Sequence, residues 1–486
     1  MKVYIVCGGT INHVAPHLAL SAQAKGSVGL KIYQNLTKTK WSINWPESAV
    51  KGGEKENPNK GVEFVLVPTT MAFYECRDNI SDEYLELLKS AGLKKLETHK
   101  HVKKLLKFLT NQEDTKGIVL PAAICDYKAR IIKKISPNKM TLSQVVEFNP
   151  GKKAKRLKTS EGNLSIEITP TEKLVHSIRR KRKDIFLVSF KTMAGESVER
   201  NYKTGLESLK KNKSNLVFIN DIKNKYNMIM TPEEFVYGFK DRNDAVIELS
   251  EMIWNRLNLS YHQTIVKGRE RANLRQLEKD GNIPSNFNKV LSHLISSKAY
   301  KPFQVIDERK SGPSKFKQIT VGHFGCKVTG IDNFYRLSSV RTSNHNNVMT
   351  NGAIEIIAEE GKTITVSGGK PSVGEHTQRA MYDKLGAKAD SIVHFHCPLK
   401  EGVTNIPVRL QKPYQCGTDE CAMNTRYGLG EVAPGIYAVH LEGHGPNIAF
   451  SKDVPADDVT KFIDAHWDLS KKEDGLEGVK NLLEDN

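Results

Sequence analysis

Apolar residues in the first half of the chain fall in short unbroken runs. Residues 2–7 read KVYIVC, 61–70 GVEFVLVPTT, 116–127 KGIVLPAAICDY, 184–191 DIFLVSFK and 214–221 SNLVFIND. Runs of this length, bounded by polar residues, predict strands buried on both faces. Between them the apolar positions take helical spacing, as in HVKKLLKFLT at 101–110. Continuous strands alternating with helices predict an α/β fold with a largely parallel, doubly wound sheet over residues 1–257. The segment 37–60, with Trp41 and Trp45 and a tail of Gly, Lys, Glu, Asn and Pro, reads as a surface insertion.

The pattern weakens after AVIELSEMIWNRL at 245–257. Residues 267–286 are charged and then broken by Gly281 and Pro284, so 258–286 reads as a linker and 287–486 as a second domain. That domain opens with a helical FNKVLSHLISS at 287–297, continues in strands of alternating polarity, and carries a helix at GEHTQRAMYDKLG, 374–386. Mixed strands with few intervening helices suggest an α+β arrangement there. No internal repeat is visible.

Charge narrows the partners. The 486 residues hold 73 Lys and Arg against 55 Asp and Glu, a net +18 that favours anions, from nucleotides and sugar phosphates to nucleic acid. The basic runs GKKAKRLKTS and RRKRKD lack interleaved aromatics, so a solvated face is the preferred reading and nucleic acid the less favoured partner. Seven cysteines without framework spacing, no secretory leader and no apolar stretch of about 18 residues predict reduced thiols in a cytoplasmic protein with no membrane partner.

In SIVHFHCPLKEG, 391–402, His394 and His396 stand two apart, on one face of a strand. A third histidine, His444, lies between Gly443 and Gly445 in LEGHGPNIAF, and Glu375 opens the helix of KPSVGEHTQRAMY. Histidine pairs on strands are commonly plain polar positions, but this ordered set suits a divalent cation with three protein nitrogens and an open position. CGTDEC is looser than a zinc knuckle, so Cys397, Cys416 and Cys421 read as core or loop residues. With PYQCGTDECAMNTRYG and GIYAVHLEGHGPNIAF, these motifs resemble the class II aldolase/adducin family over residues of roughly 287–465. The resemblance implies an α/β domain in which His394, His396 and His444 bind zinc or another divalent metal. It also implies Glu375 as acid/base or fourth ligand, and lyase chemistry on a small sugar or sugar phosphate. Two departures touch the phosphate end. Val373-Gly374 stand where the family carries Ser-Ser, and RLSSVRTSN keeps Ser339 without the usual Gly-Asn. Lys370 and Arg341 are the candidate replacements.

Gly8-Gly9-Thr10 follows the first strand, where a turn into a helix N-terminus can cradle phosphate. With LPAAICDYKARIIKKIS, IEITPTEKL, VSFKTMAGES and NLVFIND, it resembles the phosphopantothenoylcysteine synthetase family over 1–257. The resemblance implies a Rossmann-like ligase domain of coenzyme A biosynthesis that uses CTP or ATP with Mg²⁺ to activate a carboxylate for a cysteine amine. It implies nucleotide contacts at Gly9, Ala122, Ala123, Asp126, Lys134, Phe190 and one of Lys210 or Lys211. Leu18 and Ala22 stand where the family has an arginine and an asparagine. Nucleotide binding is therefore expected to outlast ligase turnover, and a non-catalytic nucleotide module is the alternative. The whole reads as a two-domain enzyme and a homo-oligomer.

Overall fold

A computed structural model describes the chain apart from residues 39–60, 136–150, 155, 158–162, 233–235, 258–262, 267–271, 307–309, 311, 332–334, 340–352, 361–362, 370, 373, 411–418 and 474–486. The chain divides into two units, with the break after Leu257.

The first unit contains β1 Lys2–Cys7, β2 Thr10–Ala15, β3 Leu18–Ala22, β4 Glu63–Pro68, β5 Thr115–Leu120, β6 Tyr127–Ile135, β7 Asn163–Pro170, β8 Phe186–Met193, β9 Leu216–Asp221, β10 Asn227–Met230 and β11 Val236–Phe239. Seven of these form a sheet in the order β11-β10-β9-β8-β5-β1-β4. Strands β4, β1, β5, β8 and β9 run parallel, and β10 and β11 add an antiparallel edge. The unbroken apolar runs are explained by burial. Val3, Ile5 and Val6 of β1 and Ile118 and Val119 of β5 are all fully enclosed.

Helix His99–Leu109 illustrates the local logic. Thr98 caps it by accepting from the His101 amide, and Val102, Leu105, Leu106 and Leu109 bury one stripe. Strand order reverses between β1 and β5, the switch point where ligands gather beyond the carboxyl ends of an open α/β sheet.

Two expectations need adjusting in this unit. The 116–127 run stops as a strand at Leu120, where Pro121 cannot donate to the ladder. Gly8-Gly9-Thr10 leads first into the β2–β3 hairpin, and the next helix begins only at Ser27.

The second unit holds β12 Gln263–Val266, β13 Pro302–Ile306, β14 Phe316–Thr320, β15 His323–Lys327, β16 Arg336–Ser339, β17 Ala353–Glu360, β18 Thr363–Ser367, β19 Ser391–His394, β20 Val408–Leu410, β21 Gly430–Ala433, β22 Ile436–Glu442 and β23 Gly445–Phe450. Its ten-stranded sheet runs β12-β18-β17-β16-β15-β19-β23-β22-β20, with β21 on β22 and most pairs antiparallel. The segment 258–286 is not a plain linker. It supplies β12, paired parallel with β18, and helix Leu274–Lys279, capped by Asn273. Leu274, Leu277 and Ile283 bury in one core with Phe287, Leu291 and Phe324. The charged and glycine-broken composition of 267–286 hid that apolar stripe.

Candidate functional site

Beyond the carboxyl ends of β1, β5, β8 and β9 lies a cavity of about 840 Å³. Two of its lining residues, Ala24 and Ala123, are tied by backbone hydrogen bonds to the turn of residues 8–10. Gly9 donates its amide to Ala24 O at 2.8 Å, Ala123 donates to Gly8 O at 2.9 Å and Thr10 to Ala123 O at 3.0 Å. A Cβ on Gly9 would stand 2.2 Å from Ala22 O and 2.7 Å from Ala24 N, so only glycine lets the hairpin end lie this close. Gly26, Ser27, Val28 and Gly29, at the N-terminal end of helix Ser27–Lys38, form one wall, with first-turn amides that have no intrahelical acceptors. The charged lining is mainly basic: Lys25, Lys173, Lys191, Lys211 and Arg242 against Asp126, Glu172 and Glu207. An anion is the matching guest.

The residues implied by the ligase resemblance separate here. Ala122, Ala123, Asp126 and Phe190 line the cavity. Asp126 is paired with Lys173 at 2.7 Å, and Phe190 packs on Phe218 with centroids 5.4 Å apart. Gly9 does not line the cavity; its amide holds Ala24, which does. Lys211 lines the cavity, whereas its neighbour Lys210 on helix Val198–Asn212 does not. Lys134 falls in β6, but its side chain lies outside the described residues.

The strand-end pair Asn220-Asp221 divides its work. Asn220 faces the cavity. Asp221 is buried and accepts from the amides of Gly195, Glu196, Lys223 and Asn224 at 2.8–3.0 Å, and from Asn201 Nδ2 at 3.2 Å. Burial alone would raise its carboxyl, but these donors outweigh burial and hold it down at about 2. Asp221 is therefore a staple for the loop and helix that form one cavity wall.

Leu18 and Ala22 have packing roles. Leu18 rests with Leu20 against Val14, Ala129 and Ile131, and the Ala22 carbonyl faces Gly9. Of the basic runs, Arg179 donates to the carbonyls of Lys213, Lys183 and Ile185, and Arg182 pairs with Asp184 and reaches Gln112 O. Those two guanidinium groups are committed within the unit.

In the second unit His394, His396 and His444 are fully buried, and one nitrogen from each lies within 4.8 Å of the others. The strand ends at His394, so His396 lies just beyond it rather than on one continuous strand. The two rings still converge, with Nε2 atoms 2.9 Å apart. His394 Nδ1 donates to Pro446 O at 2.6 Å, which fixes the tautomer and turns the Nε2 lone pair toward the cluster. Burial first, then His323, His396 and His444, hold His394 well below the usual histidine range, in the neutral form a metal needs. His444 sits in the β22–β23 turn. Gly445 has φ +107°, and a Cβ there would meet Phe395 O at 2.3 Å, so glycine is what brings this turn against the His396 segment. Glu473 accepts from the Gly443 amide at 2.9 Å and braces the same turn. The donor set fits a divalent cation of the zinc type.

His323 was not among the sequence candidates. It pairs with His394 across β15–β19, ring centroids 4.8 Å apart, and contacts Gln378 through Nδ1 at 3.0 Å. Only strand register brings it there, so no local motif announced it. Glu375 begins helix Glu375–Leu385, and the preceding Gly374 lies against the His323 ring. Its carboxylate bonds Arg379 at 3.1 Å and has Arg336 at 3.7 Å. Burial pushes it upward, but Arg379, His376 and Arg336 outweigh that and leave it below the ordinary glutamate range. Glu375 is not one of the three convergent ligands. Ser339 accepts from the Phe324 amide at 3.4 Å. Lys370, Arg341, Val373 and Cys416 lie outside the described residues.

No family model matches the chain. No curated protein matches it either. Solved structures similar to it include the DNA/pantothenate metabolism flavoprotein from Streptococcus pneumoniae, 16% identical, covering 52% of this chain and 97% of that one, TM-score 0.35. Another is the C-terminal domain of the coenzyme A biosynthesis bifunctional protein CoaBC, 14% identical over 53% of this chain and 95% of that one, TM-score 0.32. A third is a Cab2 mutant in complex with phosphopantothenate-cysteine, 13% identical over 53% and 87%, TM-score 0.32. Likeness at this level leaves function to be read from the residues. Among the described residues no helix is long and apolar enough to cross a membrane.

Proposed function

We propose that the first unit binds CTP or ATP with Mg²⁺ and is a ligase-type domain of the phosphopantothenate–cysteine kind. The observation that carries this reading is the basic cavity at the β1/β5 switch point. Lys191, Lys211 and Arg242 would offset triphosphate charge, the amides at Ser27–Gly29 would receive a phosphate oxygen, and Phe190 would border the base. Leu18 and Ala22 supply no cation or amide to hold an acyl intermediate, so slow turnover beside sound binding is the expected behaviour. Melting of the full chain with each Mg²⁺–nucleotide tests it. A bound nucleotide at about a hundred times Kd should stabilise by about 2.7 kcal/mol. No rise with either nucleotide would overturn the reading. Pyrophosphate release with 4'-phosphopantothenate and cysteine then measures the chemistry.

A second reading is favoured by the convergence of His394, His396 and His444. The second unit would hold one divalent metal and act as an aldolase-type lyase on a small sugar-like substrate. When bound, the metal would supply Lewis acidity at a carbonyl. Glu375, ionised at neutral pH by its arginines, would accept a proton rather than donate one. Elemental analysis should find about one metal per chain, lost in His396→Ala. Equal metal content in parent and variant would remove this reading.

A further inference from the structure

We propose that Glu473 is a positioning residue for the three-histidine centre, setting the spacing of two of its ligands. The inference rests on the metal reading just given. His396 lies beyond the last residue of β19, so the sheet ladder does not hold it. A strap at 466–473 does. The Lys400 amide donates to His466 O at 2.8 Å, the Asp468 amide to Pro398 O at 3.0 Å, and the Glu473 amide to His396 O at 3.0 Å. Leu399 and Trp467 form an antiparallel bridge within the same run. Lys301 Nζ fastens the strap by donating to Leu469 O at 2.6 Å.

The side chain of Glu473 reaches the other ligand segment. Its Oε1 accepts from the amide of Gly443, the residue before His444, at 2.9 Å. One residue therefore grips His396 through its main chain and the His444 turn through its carboxylate. Glu473 is itself outside the group of convergent ligands, so it acts through them. A ligand set works only when its members are held within about 0.5 Å of the required geometry. Glu473 is where that tolerance is set for two of the three rings. The carboxylate is steadied in turn by His440. The Nδ1 of His440 accepts from Trp467 Nε1 at 3.3 Å, so a neutral ring carries its proton on Nε2, 3.6 Å from Glu473 Oε1. That spacing is attractive but too long for a hydrogen bond.

Cobalt(II) titration of the full chain, followed through the visible bands of the bound ion, tests this. Glu473→Ala should lower cobalt affinity about ten- to hundredfold, the range that outer partners of metal ligands carry. Glu473→Asp, one methylene short of the Gly443 amide, should lower it as well. Glu473→Gln keeps an oxygen for that amide and should restore most of the affinity. A brace for the fold alone would lower the melting temperature of the metal-free variants and leave cobalt affinity and the visible bands unchanged. That result would overturn this inference and leave the metal reading standing. Equal losses in the Gln and Ala variants would assign the effect to charge rather than position, and would also overturn it. Cobalt uptake no greater in the parent than in His396→Ala would overturn both readings. Where the Ala variant fails to fold, the contrast of Gln with Asp carries the same decision.

Discussion

The two units hold their chemistry in opposite ways. In the first, one wall of the cavity is the N-terminal end of a helix, and the charged side chains around it, such as Asp126, Lys173 and Lys191, are exposed. In the second, the cluster is all side chain, with His394, His396 and His444 shut away from water on strand ends and a turn. A backbone cradle depends on whatever keeps its loops in place, and it tolerates changes in its charged rim. A buried imidazole cluster has no such reserve, because each ring is itself the site. Damage to the first unit should therefore come from residues that never touch a ligand.

The sharpest break of that contrast is Asp221→Asn. Replacing one carboxylate oxygen by an NH₂ turns a donor on the Glu196 amide and Asn201, both of which need an acceptor. With charge-assisted bonds each contributing about 1.5–3 kcal/mol, a loss of about 3 kcal/mol is expected. Urea unfolding measures it, with hydrogen exchange on β8 and β9 as the local readout. The pH sign follows from the depressed carboxyl. Its contribution is complete above the unfolded value of about 3.9 and is lost as pH falls toward about 2. The Asn variant should lack that acid-side decline.

Next in size is Gly9→Ala. The new methyl would meet backbone at Ala22 and Ala24, neither of which can rotate away. Overpacking of this kind costs about 1–3 kcal/mol, and it shifts the hairpin end that leads into the lining residues Gln23 and Ala24. The Tm gain from Mg²⁺–nucleotide should shrink with it. An unchanged gain would mean that the edge formed by Gln23 and Ala24 is not part of the binding surface.

These differences also explain what could be read from residues alone. Strands buried on both faces announce themselves as apolar runs, so β1, β5, β8 and β9 were legible. His394 and His396 were legible because their separation is local, and His444 because two glycines isolate it. His323 reaches the cluster through strand register, which a linear pattern does not carry. Asp221 stands beside Asn220 in NLVFIND, and no local signal separates their roles. The side chains of adjacent strand residues point opposite ways, and this one turned inward to tie a loop. Helix Leu274–Lys279 was lost in charge, since its two leucines in a charged stretch make a weak pattern.

The smallest expected effect separates two adjacent lysines. Lys210 and Lys211 close the same helix, carry the same charge and are equally plausible from sequence. Neighbours on a helix point about 100° apart, so at most one can face a given cavity squarely. Lys211 does, beside Ser208 and Asn212, while Lys210 does not line it. A general field effect would weaken with either removal, because the two charges sit on adjacent residues of one helix. A direct contact would not. Lys211→Ala should weaken nucleotide affinity about tenfold, a difference of about 1.4 kcal/mol. Lys210→Ala should leave it within about twofold, and raised salt should narrow the Lys210 effect first. Calorimetric titration of both variants with Mg²⁺–ATP and Mg²⁺–CTP makes the measurement. Equal losses would say that the rim acts only through its summed charge, and the assignment of Lys211 to a phosphate would go. A loss confined to Lys211 would fix the position of the polyphosphate against helix Val198–Asn212, the same helix that Asp221 holds through Asn201.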